Sequence, residues 1–155
     1  MGLFKRVDKK LHKGDVVDLR EYYRVSEKQA LDHIPTVYYE IYIHDTNIKV
    51  GSIDLRLSIE DDMYYYGNVG YNIIQQYRGN NYAYYACLVL FEIARDEFDM
   101  EELIITCSPD NIASYKTLRK LDGELVELIK VPPNHQLYAK GETSKYIFKY
   151  KIDLK

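Results

Sequence analysis

The sequence predicts an α/β domain of the α+β kind, with an antiparallel front half, and three observations carry that prediction. Thr36–His44 alternates with period two, placing Val37, Tyr39, Ile41 and Ile43 on one face and Tyr38, Glu40 and Tyr42 on the other. Tyr82–Phe98 keeps helical spacing through Ala83, Cys87, Leu90, Phe91, Ala94 and Phe98, and Leu88 and Val89 make it apolar nearly all round. Glu102–Cys107 then follows as a short apolar strand, so a strand–helix–strand crossover lies mid-chain and makes its flanking strands parallel. With 155 residues and neither repeats nor Pro/Gly-rich linkers, residues 1–155 read as a single domain.

Taken in order, Val16–Arg20 is a short first strand and Ser26–His33 a short helix, with Ser26 as N-cap and Pro35 as a stop beyond its end. Asp45-Thr46-Asn47 supplies turn chemistry after Thr36–His44, and Ile48–Ile59 returns as the second strand of a hairpin. Its apolar positions change parity at Gly51, which predicts a bulge there. Glu60–Met63 is an acidic connection, Tyr65–Ile74 a strand, and Gln75–Asn81 a polar turn into the long helix. After Glu102–Cys107, Ser108-Pro109-Asp110-Asn111 opens a helix carrying Ser114, Thr117, Leu118 and Leu121 on one face, with Gly123 as its C′ residue. Glu124–Val131 and Lys145–Leu154 finish as strands around a polar loop, Pro132–Glu142. In the last strand Tyr146, Phe148, Tyr150, Ile152 and Leu154 oppose Lys145, Lys149, Lys151 and Asp153.

Composition narrows the function classes. Hydrophobic residues make up 46% and charged residues 29%, the balance of a globular chain, and the formal net charge of -3 lacks the clustered basic surface that phosphate-backbone binding needs. No nucleic-acid partner is expected, and the basic N-terminus (Lys5, Arg6, Lys9, Lys10, Lys13) reads as a solvated, frayed end. The absence of a membrane-length apolar run and of a signal-peptide core in Met1–Lys13 points to no membrane partner and a cytoplasmic location. Cys87 and Cys107 lack metal-ligand spacing, and His12, His33, His44 and His135 are scattered, so no metal is expected. Tyrosine is abundant, at 17 residues, which fits a cleft or an interface without choosing between them.

The strongest chemical signal is the junction Asn72–Ala83. A strand runs into a polar turn holding Arg78 and Gly79, and the turn opens the N-terminus of the long helix. The first N–H groups of a helix lack intrahelical partners and its dipole favours an anion, so a diphosphate is the natural guest.

Gln76-Tyr77-Arg78-Gly79-Asn80-Asn81-Tyr82-Ala83 resembles the coenzyme A pyrophosphate loop of the GNAT (GCN5-related) N-acetyltransferase superfamily, Q/R-x-x-G-x-G/A. One strand later, Asn111-Ile112-Ala113-Ser114 and Lys120-Leu121-Asp122-Gly123 resemble the family's N-x-x-S/A helix and its K-L-G-F ending. Val50-Gly51-Ser52-Ile53 is similar to the family's V/I-G hairpin strand, and Gly67–Ile73 to the strand delivering the pantetheine arm. The likeness covers about Thr36–Leu154, and its tail is similar to a little-characterised bacterial subgroup.

The resemblance implies a mixed central sheet splayed between the strands flanking the main helix, with acetyl-CoA as cosubstrate and no metal. It implies cofactor contacts from Tyr71, Ile73, Gln76, Arg78, Gly79, Asn80, Asn81, Tyr82, Ala83, Asn111 and Ser114. Free N–H groups around Tyr71–Ile73 would polarise the thioester carbonyl, and a neutral amine, from a small molecule or a peptide, would attack it. Asn68 and Asn72 would orient a water that relays the amine proton, with Glu40, Asp54 or the Glu60-Asp61-Asp62 cluster as direct carboxylate bases. Two positions depart from the family pattern. Asn81 stands where the loop's second glycine is usual, and Leu118 where many members carry a tyrosine that protonates the leaving thiolate; Tyr115 is the candidate acid instead.

A dinucleotide-binding oxidoreductase would want G-x-G-x-x-G after the first strand, and the sequence does not supply it. A GNAT-fold module that binds coenzyme A or a partner with weak or no catalysis is the alternative that Asn81 and Leu118 keep open, beside a tyrosine-rich interaction protein. The alternating C-terminal strand could also pair across a homodimer.

Overall fold

The computed structural model describes residues 10–25 and 34–153. The expected helix Ser26–His33 and the end of the last strand at Leu154 lie outside the described residues. The chain order is β1 (Leu11–Lys13), β2 (Val17–Val25), β3 (Thr36–Ile43), β4 (Lys49–Arg56), β5 (Val69–Ile73), α1 (Tyr82–Phe98), β6 (Glu102–Cys107), α2 (Ile112–Lys120), β7 (Glu124–Lys130), α3 (Gln136–Ala139) and β8 (Ser144–Lys151).

Among the described residues the strands form two antiparallel sheets, β1-β2-β3-β4-β5 and β6-β8-β7. β5 and β6, the strands flanking α1, form no parallel ladder. The chain just before β5 meets β6 at a bridge between Gly67 and Ile105, locally antiparallel, and at Asn68, which bonds Ile104; beyond this the two strands splay apart. The predicted hairpin is present, and its bulge falls where the parity changes: Ile41 faces Gly51 while Tyr42 faces Lys49, leaving Val50 unopposed. Val37, Tyr39, Ile41, Val50 and Leu55 are fully buried, so the face assigned from alternation is the core face.

α1 covers that face. Ala86, Cys87, Leu90 and Ala94 are sealed from solvent, and Gly14 lets the chain pass close to Val89, where a Cβ would lie 2.6 Å from the Val89 side chain. This part of the N-terminal segment is no frayed end. Leu11–Lys13 pairs with β2, and Lys10 Nζ bonds Glu97 of α1 at 2.6 Å.

Three local expectations are corrected. The strand expected over Tyr65–Ile74 begins only at Val69, because Asp61–Tyr65 winds into a 3₁₀ turn and Gly67 turns the chain at φ 75°. The left-handed residue ending α2 is Asp122 (φ 65°), not Gly123. Gly123 is required by packing instead, since a Cβ there would lie 2.3 Å from the Tyr150 ring. The loop Pro132–Glu142 contains α3 and buries its own His135 and Leu137; Val131 just before it is buried too, and Ile147 of β8 fully so. Buried on both faces and paired on both edges, β8 is the middle strand of its sheet, so β7 and β6 flank it where a dimer partner was expected.

Candidate active site

The site grows from the way β5 ends. Ile74 N–H donates to Val50 O at 2.8 Å as the last rung, and Gln75–Tyr77 then forms one 3₁₀ turn. Gly79 (φ 92°) and Asn81 (φ 62°, ψ 23°) both take left-handed backbone, the second in the place where the family pattern has glycine. Asparagine tolerates that region better than most residues, so the loop closes without the second glycine. A Cβ on Gly79 would meet nothing within 4 Å, so its glycine serves the backbone turn and leaves open space above it. Asn81 makes no side-chain cap, and among the described residues no side chain accepts from the first N–H groups of α1, which stand at the positive end of a 17-residue helix.

These groups open on a cleft of ≈ 520 Å³ between β5, the start of α1 and α2. Arg78, Lys116 and Lys120 give it a basic rim, with Lys120 Nζ 4.6 Å above the Tyr84 ring. Arg78 is aimed by its Nε, which donates to Ile73 O at 2.8 Å. Across the cleft, Asn111 Oδ1 accepts from Ser114 N–H at 3.1 Å, capping α2 and leaving its amide N–H groups to meet a ligand. Tyr71 Oη lies 2.8 Å from Ser114 Oγ, joining β5 to α2 across the floor. Burial holds the Tyr71 phenol well above its ordinary pKa.

β5 offers a second set of donors. Arg56 N–H bonds Asn68 O and Ile74 N–H bonds Val50 O, so the even-numbered residues carry the ladder to β4. Antiparallel alternation therefore turns the N–H and C=O groups of Tyr71 and Ile73 toward the gap facing β6. That gap is the splay expected from the sequence.

Of the predicted site residues, Tyr71, Asn72, Ile73, Arg78, Gly79, Asn81, Tyr82, Ala83, Asn111 and Ser114 line the cleft together. Gln76 is exposed outside it, and Asn80 spends its amide on Tyr77 O at 3.0 Å. Asn68 stands elsewhere: it is 5% exposed, its Nδ2 donates to Arg56 O and its Oδ1 accepts from Ile104 N–H, so it clasps β4 to β6. With both amide ends so bonded, it holds the sheets rather than a water. Tyr115 packs its ring on Tyr146 and Phe148, at 5.1 and 6.0 Å, rather than lining the cleft, and Leu118 is fully buried.

Sequence reasoning missed Lys116, Thr117 and Lys120 in the cleft wall, although Lys116 and Lys120 are one helical turn apart. It named Tyr71 as a cofactor contact but not the bond of its hydroxyl to Ser114, because a strand residue opposite a helix leaves no local pattern. Among the carboxylates, Glu40 is engaged by Tyr42 Oη and Lys49, and Glu60 is exposed; the side chains of Asp61 and Asp62 lie outside the described atoms. Asp54 sits opposite Gly70 of β5, where a Cβ would come within 3.0 Å of its Oδ1. Burial raises its pKa against the pull of Arg56. Burial also pushes the Cys87 thiol up to about 12 and raises that of Cys107. Far from the cleft, Asp18, His44 and Asp45 bring ligand-type atoms within 4.8 Å of one another, already bonded among themselves.

The family profile described as an acetyltransferase (GNAT) domain matches residues 9–124, more than half of the chain. The chain belongs to the GNAT acetyltransferase family. Solved structures of the family share its fold. One is RimL, a ribosomal L7/L12 alpha-N-protein acetyltransferase in complex with coenzyme A, with a TM-score of 0.68 at 14% identity over 93% of this chain and 99% of that one. A GNAT-family acetyltransferase from Bacillus anthracis aligns with a TM-score of 0.60 at 21% identity, over 76% of this chain and 67% of that one. An acetyl transferase from Salmonella typhimurium that modifies the N-terminal serine of L7/L12 aligns with a TM-score of 0.58 at 16% identity, over 76% and 64%. No curated protein matches the chain in sequence. Among the described residues no helix is long and apolar enough to cross a membrane, which says nothing of a β-barrel.

Proposed function

We propose that residues 1–155 form one catalytic domain that moves the acetyl group of acetyl-CoA to a primary amine by direct attack on the thioester. The observation that carries this reading is the uncapped N-terminus of α1, entered through left-handed Gly79 and Asn81, beside Arg78 and above a cleft shared with α2. Outward N–H groups, a helix dipole and a guanidinium suit a pyrophosphate. Arg78, Gly79, Asn81, Tyr82 and Ala83 would hold it, Asn111 and Ser114 would meet the pantetheine amides, and Lys116 and Lys120 add charge for the remaining phosphate.

The acetyl carbonyl then lies in the splay, where the N–H groups of Tyr71 and Ile73 stabilise the developing oxyanion. Fixed donors are worth most there, because they need no reorganisation as charge appears. A protonated amine must first lose a proton. Asp54 is the carboxylate placed beside β5, and its raised pKa brings it nearer the range of a working base, directly or through a water that Asn72 helps orient. For the acceptor, a protein N-terminus is favoured over a small amine, on the strength of the fold neighbours described as acting on L7/L12.

Incubation with acetyl-CoA and a panel of N-terminal peptides and small amines, with release of free thiol as the readout, tests this. Acceptor-dependent thiol release that disappears in Arg78→Glu is expected. Tight coenzyme binding with no acceptor-dependent release would support a binding module without catalysis, the reading that the packed Tyr115 and buried Leu118 favour.

A further inference from the structure

The reaction needs a group that stabilises the departing sulfur, and neither position that sequence reasoning considers lines the cleft. The Leu118 side chain has no polar atom and is fully buried, and the Tyr115 ring packs at a tilt against Tyr146 and Phe148 of β8. Three tyrosines line the cleft: Tyr77 in the 3₁₀ turn and Tyr82 at the first turn of α1 belong to its anion-binding end, and Tyr71 comes from β5. Tyr71 projects from β5, the strand whose N–H groups face the splay, and its hydroxyl lies 2.8 Å from Ser114 Oγ. Ser114 precedes Leu118 by one helical turn on α2, so the β5 phenol arrives at the helix face that position 118 shares.

We propose that the Tyr71 hydroxyl donates a hydrogen bond to the coenzyme A sulfur as the thioester carbon–sulfur bond breaks, with Ser114 as the residue that positions it. This rests on the acetyltransferase reading above. The amine lone pair forms the N–C bond, the C–S electron pair leaves on sulfur, and the amine proton passes to Asp54 or water. The products are the amide, the coenzyme thiolate and one proton, which the thiolate takes up as it leaves. Ser114 Oγ–H can donate to Tyr71 Oη, which frees the phenolic proton for sulfur. Burial keeps that phenol protonated at neutral pH and less acidic than an ordinary thiol, near 8.5. Tyr71 therefore shares its proton with the sulfur and retains it. The role differs from that of an acid that gives the proton away.

The test is the thiol pKa of coenzyme A bound to the whole protein, needing no acceptor. It is read as ultraviolet thiolate absorbance against a matched complex with desulfo-coenzyme A, which cancels the tyrosines and both cysteines. The wild-type complex is expected to hold the thiol below its ordinary value. Tyr71→Phe should raise it by about one to two units, the scale of a hydrogen bond to a charged acceptor, with coenzyme affinity changed by less than about threefold. Ser114→Ala, which keeps the phenol, should give a smaller rise in the same direction and covers the case in which Tyr71→Phe does not fold. An unchanged thiol pKa in either folded variant, with coenzyme bound, overturns the proposal and leaves the acetyltransferase reading standing. Failure of the wild type to bind coenzyme A at all overturns both.

Discussion

The two ends of β5 do opposite things with the same kind of chemistry. Just before its start, Asn68 pairs with Arg56 on one side and Ile104 on the other, through backbone and side chain alike, and stitches the two sheets together. Four residues on, Asn72 is exposed and reaches only Arg78, at 3.5 Å, while the backbone groups of Tyr71 and Ile73 face a gap. The closed end fixes how far the sheets part, and the open end keeps unspent donors where a ligand can use them. A buried polar group left unpaired is costly, so donors can stay unspent only at the edge of a cleft. Stability and binding are thus separated over the short stretch from Asn68, just before β5, to Ile73 at its end.

Substitutions at the two ends should separate the same way. Asn68→Ala removes the partner of Ile104 N–H and of Arg56 O in a buried place, and should cost about 2–4 kcal/mol. For a domain of this size that lowers the melting midpoint by about 5–10 °C, and calorimetry of the free protein reads it. Asn72→Ala should leave the midpoint within about 1 °C; a large loss there would erase the contrast. Arg78→Glu should weaken coenzyme binding by about tenfold to a hundredfold with little change in melting, read by titration calorimetry. Asn81 tests the loop itself. Asn81→Gly should leave affinity and stability nearly unchanged, whereas Asn81→Val should lose about 1–2 kcal/mol by forcing a branched residue into φ 62°.

The smallest effect belongs to the corner joining the β1–β2 and β3–β4 turns, remote from β5. His44 Nδ1 bonds Asp18 Oδ1 at 2.8 Å, and this bond raises the imidazole above its ordinary 6.5. For Asp18, burial pushes the carboxyl up, but bonds from His44, Asp45 N–H and Gly14 N–H outweigh it and hold it below its ordinary 3.8. The histidine contribution is complete below 6.5 and is lost as pH rises through the raised folded value. The aspartate contribution is complete above 3.8 and is lost as pH falls through the lowered folded value. Both are full between these limits. Urea midpoints of wild type and His44→Gln should therefore differ most in that window and converge above it, while coenzyme affinity stays the same in the two proteins.

Much of this was legible from local pattern. α1 and β6 begin and end where period and composition place them, and the parity change at Gly51 marked the bulge. The anion-binding turn was legible because its parts are contiguous: Arg78, Gly79 and the helix start. β1 was not, since Leu-His-Lys has no alternation of its own and exists by pairing with β2. The packing role of Gly123 was not legible either, because the ring that excludes a Cβ there comes from Tyr150, far along the chain, while Asp122 takes the left-handed turn. Asn68 and Tyr71 were named from the sequence, but the bonds of their side chains were hidden for the same reason: the partners Ile104 and Ser114 are 36 and 43 positions away.

The central claim is that the open end of β5 and the uncapped start of α1 form an acetyl-CoA site. Isothermal titration of acetyl-CoA into the wild-type protein and into Arg78→Glu tests it most directly. Saturable one-to-one binding by the wild type, weakened at least about tenfold in the variant at equal thermal stability, is the predicted result. A folded wild-type protein that takes up no acetyl-CoA, or a variant that binds it equally well, would contradict the account.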